Sequence, residues 1–544
     1  MYASSVFFES WRISSSDLGF DYAEHKHPIT TLAKRAGEDP LQILYPEHWI
    51  DVPVDHFQNE TKYEPHDHTT FQLRYWFDAQ HYQPGGPVFV LQSGETSGTD
   101  RLPFLQKGIV AQITKATNGL GVILEHRYYG TSFPVKNLTT ENFRFLTTAQ
   151  AMADMAYFAQ NVEFPGVKGN LTSDKVPWIA YGGSYAGAFV AFLRKQYPDV
   201  YWGAISSSGV TEAIWDYWQY YQPIIEHAPQ HCIATQRDLI SVVDGILIGK
   251  NSTDLPMQLK AAFDVADLTY DVDFANYLGS AISWQSLNWD PAVSSDSFYR
   301  YCNNITSAEA LYPGLESRRS NVTNLIDESG ASTNKSLETA MLNMIGYFNT
   351  SFLASCDGTA DSCFGRHNQT YYDLTTIEDA NYKSWPYQYC TEWGFLQTGN
   401  TPPEYGAPIV SRLMTLEDQS LICRAAFNIT TPPDISTVNK YGGYNISYPR
   451  LAIVDGDWDP WKPSTPHGFE FGAKERMSTA SEPFILIAEA VHHWDENGLF
   501  PNETTATLPP HRIVDVQAQE LQFVQEWLLA WEQACMVEGR WELL

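Results

Sequence analysis

The chain has 544 residues, of which 43% are hydrophobic and 18% charged, enough apolar content for one large domain with an insertion or for two or three ordinary domains, and too much for a disordered polymer. A formal net charge of −30 at pH 7 argues against nucleic acid or an anionic membrane surface as partner. No run of about 18 apolar residues occurs, so no membrane-spanning helix is expected.

Residues 1–48 read as a leader or extension. They lack the basic start and apolar stretch of a signal peptide, and Lys34-Arg35 is a candidate dibasic processing site. The start reads as an incomplete or misassigned first exon, because the rest of the chain carries the marks of the secretory route. Twelve N-x-S/T sequons stand at Asn59, Asn137, Asn170, Asn251, Asn304, Asn321, Asn334, Asn349, Asn368, Asn428, Asn445 and Asn502. That is half of all asparagines, where chance would place about a sixth there. The expectation is a secreted or vacuolar/lysosomal glycoprotein. Seven cysteines fit that route: Cys356 and Cys363 are spaced for a small loop, while Cys232, Cys302, Cys390 and Cys423 suffice for two more bridges of open connectivity. Cys535 is then the odd one.

From about Trp49 the chain alternates short apolar runs with helical patterns, the rhythm of an α/β sheet. Strands are expected at 87–94 (PVFVLQSG) and 121–130 (GVILEHRYYG), a helix at 147–162, a strand at 176–183, a helix at 185–198 stopped by Pro198, and a strand at 203–209. Residues 211–440 lose this rhythm and read as a mainly helical insertion. Strands resume at 450–457 (RLAIVDGD) and 483–491 (PFILIAEAV), and an amphipathic helix closes the chain with Leu521, Val524, Trp527, Leu528 and Trp531 on its apolar stripe. The expected architecture is a catalytic domain from 49–210 and 441–544, interrupted by a cap at 211–440.

Within this frame, GGSYAG (182–187) lies between a strand and a helix and nearly matches the nucleophile elbow G-x-S-x-G, with Ala186 where the second glycine belongs. On this segment alone Ser184 reads equally well as a nucleophile or as a small residue in a tight turn. A serine hydroxyl needs an imidazole to take its proton and a carboxylate to orient the imidazole. After the strand at 450 come Asp455, Asp457 and Asp459; after the strand at 483 come His492 and His493. The order serine, acid, histidine, each after its strand, is that of α/β-hydrolases. The interval between Asp459 and His492 leaves room for one crossover helix.

The sequence resembles the serine peptidases that include lysosomal Pro-X carboxypeptidase, dipeptidyl peptidase II and the fungal prolyl endopeptidases. The resemblance runs over most of the chain, through VPVDHF (52–57), EHRYYG (125–130), GGSYAG, YQYCTEWGF (387–395), DWDPW (457–461) and VHHWD (491–495). It implies an α/β-hydrolase fold with a helical cap and hydrolysis on the carboxyl side of proline. It assigns the acid to Asp459, directly before Pro-Trp, and the base to His492, the first of the pair, and it implies that a small residue can replace the elbow's second glycine. The oxyanion donors are expected at the backbone N–H of Tyr185 and at Gly94 or Glu95. Trp461 and Trp494 are candidate walls of a proline pocket, with core packing as the alternative. Glu392 is a candidate carboxylate for a substrate N-terminus, with a structural hydrogen bond as the alternative. The partners are then proline-containing peptides, and no cofactor or metal is expected: His25/His27 and His66/His68 lack a third ligand, and no phosphate-binding glycine motif occurs. Acid serine carboxypeptidases, whose elbow reads G-E-S-Y-A-G, are the enzymatic alternative, disfavoured by Gly183 and EHRYYG. A non-catalytic hydrolase-fold binding protein is the other, disfavoured by the complete set of three residues.

Overall fold

The computed structural model describes residues 40–377 and 382–537. The Lys34-Arg35 and His25/His27 expectations and most of the 1–48 extension lie outside the described residues.

The described residues form ten strands: β1 (His48–Pro53), β2 (Thr70–Asp78), β3 (Val88–Gln92), β4 (Leu120–Leu124), β5 (Trp178–Gly183), β6 (Gly203–Ser207), β7 (Ile214–Asp216), β8 (Gly394–Leu396), β9 (Leu451–Gly456) and β10 (Phe484–Ile487). Eight of them form one sheet in the order β1-β2-β4-β3-β5-β6-β9-β10. β2 runs antiparallel to β1 and β4, and every later pairing is parallel. This order, with one antiparallel strand near the edge, is the α/β-hydrolase arrangement. The central strands β3, β4, β5, β6 and β9 are buried along their whole length, except for the intermediate Gly183 at the end of β5. They read accordingly as continuous apolar runs rather than as alternating ones.

Helices cover both faces. One side is packed by α1 (Ile109–Ala116) and the C-terminal helix; the other by α2 (Thr148–Asn161) and α3 (Tyr185–Gln196). Between β6 and β9 the chain is mainly helical. Its longest helices are α4 (Gln230–Leu247) and α5 (Lys335–Ser351), and the pair β7–β8 is its small parallel sheet. The closing helix, α6, spans His511–Val537. Three disulfides staple the helical region: Cys232–Cys302, Cys356–Cys363 and Cys390–Cys423, with Cys535 free and buried in α6. Among the described residues, no helix is long and apolar enough to cross a membrane.

Two expected elements are corrected. The strand expected over 121–130 stops at Leu124, because Glu125 and Arg127 are buried charges that must turn aside to reach partners. No crossover α-helix lies between Asp459 and His492; only the short turns Lys462–Ser464 and Phe469–Phe471 occur there. Pro460, Pro463 and Pro466 remove donors at intervals too short for a helix to form.

Candidate active site

Ser184 sits at the junction of β5 and α3 with φ 60° and ψ −125°, a backbone state that side chains rarely adopt and that functional turns maintain. The turn is this tight because strand and helix nearly touch. A β-carbon on Gly182 would lie 2.2 Å from the Ala186 carbonyl oxygen, and one on Gly187 would lie 2.6 Å from that of Ser207. The methyl of Ala186 instead faces Gly94, where even an added β-carbon would be 3.7 Å away. That free space is why alanine serves at the position where the elbow pattern has glycine.

The three aspartates of the DGDWDP run part company. Asp455 takes the Nδ1 of His467 at 2.6 Å, half-exposed Asp457 pairs with Lys462 at 3.1 Å, and fully buried Asp459 takes the Nδ1 of His492 at 2.8 Å. The other oxygen of Asp459 accepts the backbone N–H of Trp461 at 2.9 Å, which fixes the carboxylate's orientation. His492 Nε2 is buried without a hydrogen-bond partner, an arrangement that costs free energy unless another group engages it. The residue before Ser184 touches the same loop: a β-carbon on Gly183 would meet the His493 ring at 3.2 Å. Serine, acid and histidine thus follow the carboxyl ends of β5, β9 and β10, where α/β sheets hold their sites.

A pocket beside Ser184 is lined by Glu95, Tyr185, Val210, Gln285, Trp385, Phe395 and Trp461. Trp461, expected there, stacks on Tyr217 at 5.1 Å and donates its indole N–H to Gln285. Trp494 is not among the lining residues. It bridges to the helical region instead, donating to the Leu287 carbonyl and accepting the Trp289 indole N–H on its own carbonyl. Glu392 is likewise elsewhere. Its carboxylate accepts the backbone N–H and hydroxyl of Thr148, both at 2.9 Å, and so caps the start of α2. Gly94, one of the expected oxyanion donors, already gives its N–H to the Gln92 side chain at 2.5 Å. The Glu95 N–H lies against its own carboxyl, and the N–H of Tyr185 opens α3 and has no acceptor within the helix. Gln285, Trp385 and Val210 were not singled out from the sequence. Trp385 and Phe395 did carry a signal, since they border or end the YQYCTEWGF stretch, whereas Val210 and Gln285 have no local pattern.

The EHRYYG and YQYCTEWGF motifs brace this site from behind. The Tyr185 hydroxyl is held between His126 Nε2 at 2.9 Å and Gln388 Nε2 at 2.8 Å, and Gln388 also accepts from Tyr129. Glu125 gathers Arg74, the Gly98 and Thr131 amides and the Ser132 hydroxyl. Arg127 forks onto Asp154 with two bonds of 2.6 Å.

Below the His492 loop, buried Asp495 accepts from Tyr181 at 2.6 Å and Ser207 at 2.5 Å, and Gln517 of α6 donates to the carbonyls of Asp495 and Asn497. Burial pushes the Asp495 carboxyl up to about 6. Burial, and then the facing Asp495 carboxyl, pushes Glu520 of α6 well above its usual range. Both acids therefore keep protons in the folded state that the unfolded chain loses above about pH 4, so stability falls as pH rises through the folded values. Glu520→Gln, which removes one of the two acids at equal volume, should raise the apparent melting temperature by a few degrees at pH 7.5 and have little effect at pH 4.5, as read by differential scanning calorimetry. One pH unit of displaced titration corresponds to about 1.4 kcal/mol.

All twelve sequon asparagines lie among the described residues and none is buried; ten are exposed, while Asn304 and Asn349 are half-buried. Both of these already donate their side-chain N–H, Asn304 to the Arg300 carbonyl at 2.8 Å and Asn349 to Asp264 at 2.7 Å. Among the described residues, no three His, Cys, Asp or Glu side chains converge as a metal site, and His66 is taken up by Asp55 at 2.7 Å.

The sequence profile of the serine carboxypeptidase S28 family matches residues 53–512. A probable extracellular serine carboxypeptidase of Arthroderma benhamiae is 51% identical over 499 residues, covering 91% of this chain and 69% of the relative. Serine protease vicPa of Bipolaris victoriae is 29% identical over 460 residues, with 79% and 82% covered. The thymus-specific serine protease of Mus musculus is 26% identical over 521 residues, with 92% and 91% covered.

Proposed function

The chain belongs to the serine carboxypeptidase S28 family and is a serine peptidase; on that basis we propose that it is a secreted enzyme that cleaves on the carboxyl side of proline through Ser184, His492 and Asp459. The observation that carries this reading is the buried His492–Asp459 pair at 2.8 Å, with its other ring nitrogen unpartnered, on the loop that abuts the Ser184 elbow.

In this mechanism His492 Nε2 takes the Ser184 proton as Oγ attacks the peptide carbonyl, and Asp459 holds the imidazole in the tautomer that leaves Nε2 free to accept it. The tetrahedral oxyanion is met by the backbone N–H groups of Tyr185 and Glu95. Collapse returns the proton from His492 to the leaving amine, and water, activated by the same imidazole, releases the acyl group. Proline fits because the pocket walls Val210, Trp385, Phe395 and Trp461 are apolar and mostly flat, suited to a compact ring with no N–H to satisfy. Secretion is supported by the exposed sequons, the three disulfides and the likeness to a relative named extracellular. The sequons are proposed as glycan sites.

A panel of peptides with proline placed internally, next to last, or second from the N-terminus tests this reading, with cuts located by mass spectrometry between pH 4 and 7. The expected result is cleavage after proline by the wild type and none by Ser184→Ala. Trp461→Ala, which opens the pocket wall, should lower kcat/KM for proline substrates about 10–100-fold and narrow the preference over alanine. Cleavage without regard to proline would contradict the specificity, and no cleavage at all would contradict the peptidase reading.

A further inference from the structure

Residues 284–289 of the helical region are stitched to both loops that carry the candidate acid and base. The Trp284 indole N–H donates to the Trp458 carbonyl at 2.8 Å, and the Trp289 indole N–H donates to the Trp494 carbonyl at 2.9 Å. In return the Trp494 indole N–H donates to the Leu287 carbonyl at 2.9 Å. Gln285 sits inside this seam, on the short turn Trp284–Ser286. Among the described residues that line the pocket beside Ser184, it is the one carboxamide.

The two ends of that carboxamide differ in what they meet. Oε1 accepts the Trp461 indole N–H at 2.8 Å and the Tyr220 hydroxyl at 3.2 Å. An indole N–H can only donate, so the atom it meets is the amide oxygen and the NH2 group is turned the other way. Nε2 has no acceptor among the described residues, and it is not one of their enclosed, unpartnered atoms. It opens onto the pocket that the residue lines. The side chain is therefore a preset donor at the edge of the Trp461 wall, held in place before any ligand arrives.

We infer that Gln285 is a specificity-determining residue: its Nε2 donates a hydrogen bond to the substrate carbonyl of the residue that precedes proline. The inference rests on the reading of the pocket as the proline site of a Ser184 peptidase. In a peptide cut after proline, the ring nitrogen carries no hydrogen, and the scissile carbonyl belongs to the oxyanion donors. The next acceptor along the chain is the carbonyl bonded to the ring nitrogen itself. With the ring against Trp461, that carbonyl stands at the rim of the same wall, where Nε2 is. A ring that fills the apolar pocket also cuts Nε2 off from water, so a substrate without the carbonyl strands a buried donor. The substrate class is thereby narrowed to proline preceded by at least one residue, because an N-terminal proline offers no such acceptor.

The test uses the full chain and the proline peptide that the wild type cuts best in the panel above. It is paired with an analogue in which the amide before proline is replaced by an (E)-alkene. The analogue keeps the shape, the ring and the scissile bond but has no carbonyl before the ring. kcat/KM is measured on both for the wild type, Gln285→Met and Gln285→Ala, with melting temperatures as a control for folding. The wild type is expected to prefer the amide by about 10–100-fold. Each substitution is expected to lower the rate on the amide about 10–100-fold more than the rate on the alkene. A wild type that cuts the two peptides equally overturns the inference whatever the variants do. So does a substitution that slows both alike, which is what a mere brace for Trp461 would give, or one that slows neither; the proline reading then stands. A wild type that leaves every proline peptide uncut overturns that reading and the inference with it.

Discussion

Asp459→Asn is expected to lower kcat about 10⁴-fold with little change in KM, and Ser184→Ala or His492→Ala to lower it about 10⁶-fold. The asparagine result follows from the hydrogen bonds around the carboxylate. The Trp461 N–H binds one oxygen of Asp459 at 2.9 Å, so the amide oxygen of an asparagine must occupy that side. Its NH2 group then faces His492 Nδ1, which must accept, and the ring proton is driven to Nε2. The atom that should take the serine proton is then already protonated. Because the three residues act as one unit, the double variant Ser184→Ala/His492→Ala should be no slower than either single one. Asp457→Asn provides the contrast, since that residue holds only a half-exposed pair with Lys462 and should leave kcat near wild type. Steady-state kinetics on a single proline peptide distinguishes these outcomes.

Arg127→Met is expected to destabilise the fold by about 3–5 kcal/mol, a large share of a typical domain's stability. Arg127 is fully buried; besides its fork onto Asp154 it donates to the carbonyls of Val54 and Phe145, each at 3.0 Å. Removing it leaves a buried carboxylate and orphaned carbonyls far from water. Burial alone would push the Asp154 carboxyl up, but the charge and hydrogen bonds of Arg127, helped by His56, hold it below its usual range. That contribution is present above the ordinary carboxylate range and lost as pH falls through the depressed folded value. Arg127→Met/Asp154→Leu should recover part of the loss, because the stranded charge goes with its partner. Urea unfolding at pH 6 measures both. The single variant should also lose turnover, since the next residue back, His126, holds the Tyr185 hydroxyl.

These two results bear on how much of the molecule could be read beforehand. Most of the strands that reveal themselves in sequence are buried on both faces: β3, β5, β6 and β9 are apolar runs ended by glycine or a small polar residue, and the edge strand β10 shows as well because it is the unbroken apolar run FILI. β1, at the sheet edge, and β2 beside it hide because they carry Asp51, Pro53 and Arg74, the last buried against Glu125 from the neighbouring strand's end and Glu47. Long-range pairing of that kind has no local signature. The candidate catalytic residues were legible for the opposite reason: each follows a strand that is itself legible, in an order fixed by the sheet. What the motifs could not reveal was the division of labour inside them. Glu392 and Trp494 stand in family motifs yet cap a helix and tie the loop to the helical region, while Gln285, from a stretch with no motif, lines the pocket. Motif membership marks residues that the fold needs in place, whether for chemistry or for the bracing that holds the chemistry.

The central claim, that Ser184 is the nucleophile activated by His492, is tested most directly by treating the full chain with diisopropyl fluorophosphate and mapping the adduct by peptide mass spectrometry. The account predicts a single stoichiometric diisopropylphosphoryl group on the peptide containing Ser184, formed with loss of fluoride, absent from Ser184→Ala and formed far more slowly in His492→Ala. An adduct on any other residue, or labelling of Ser184 that is indifferent to loss of His492, would contradict it.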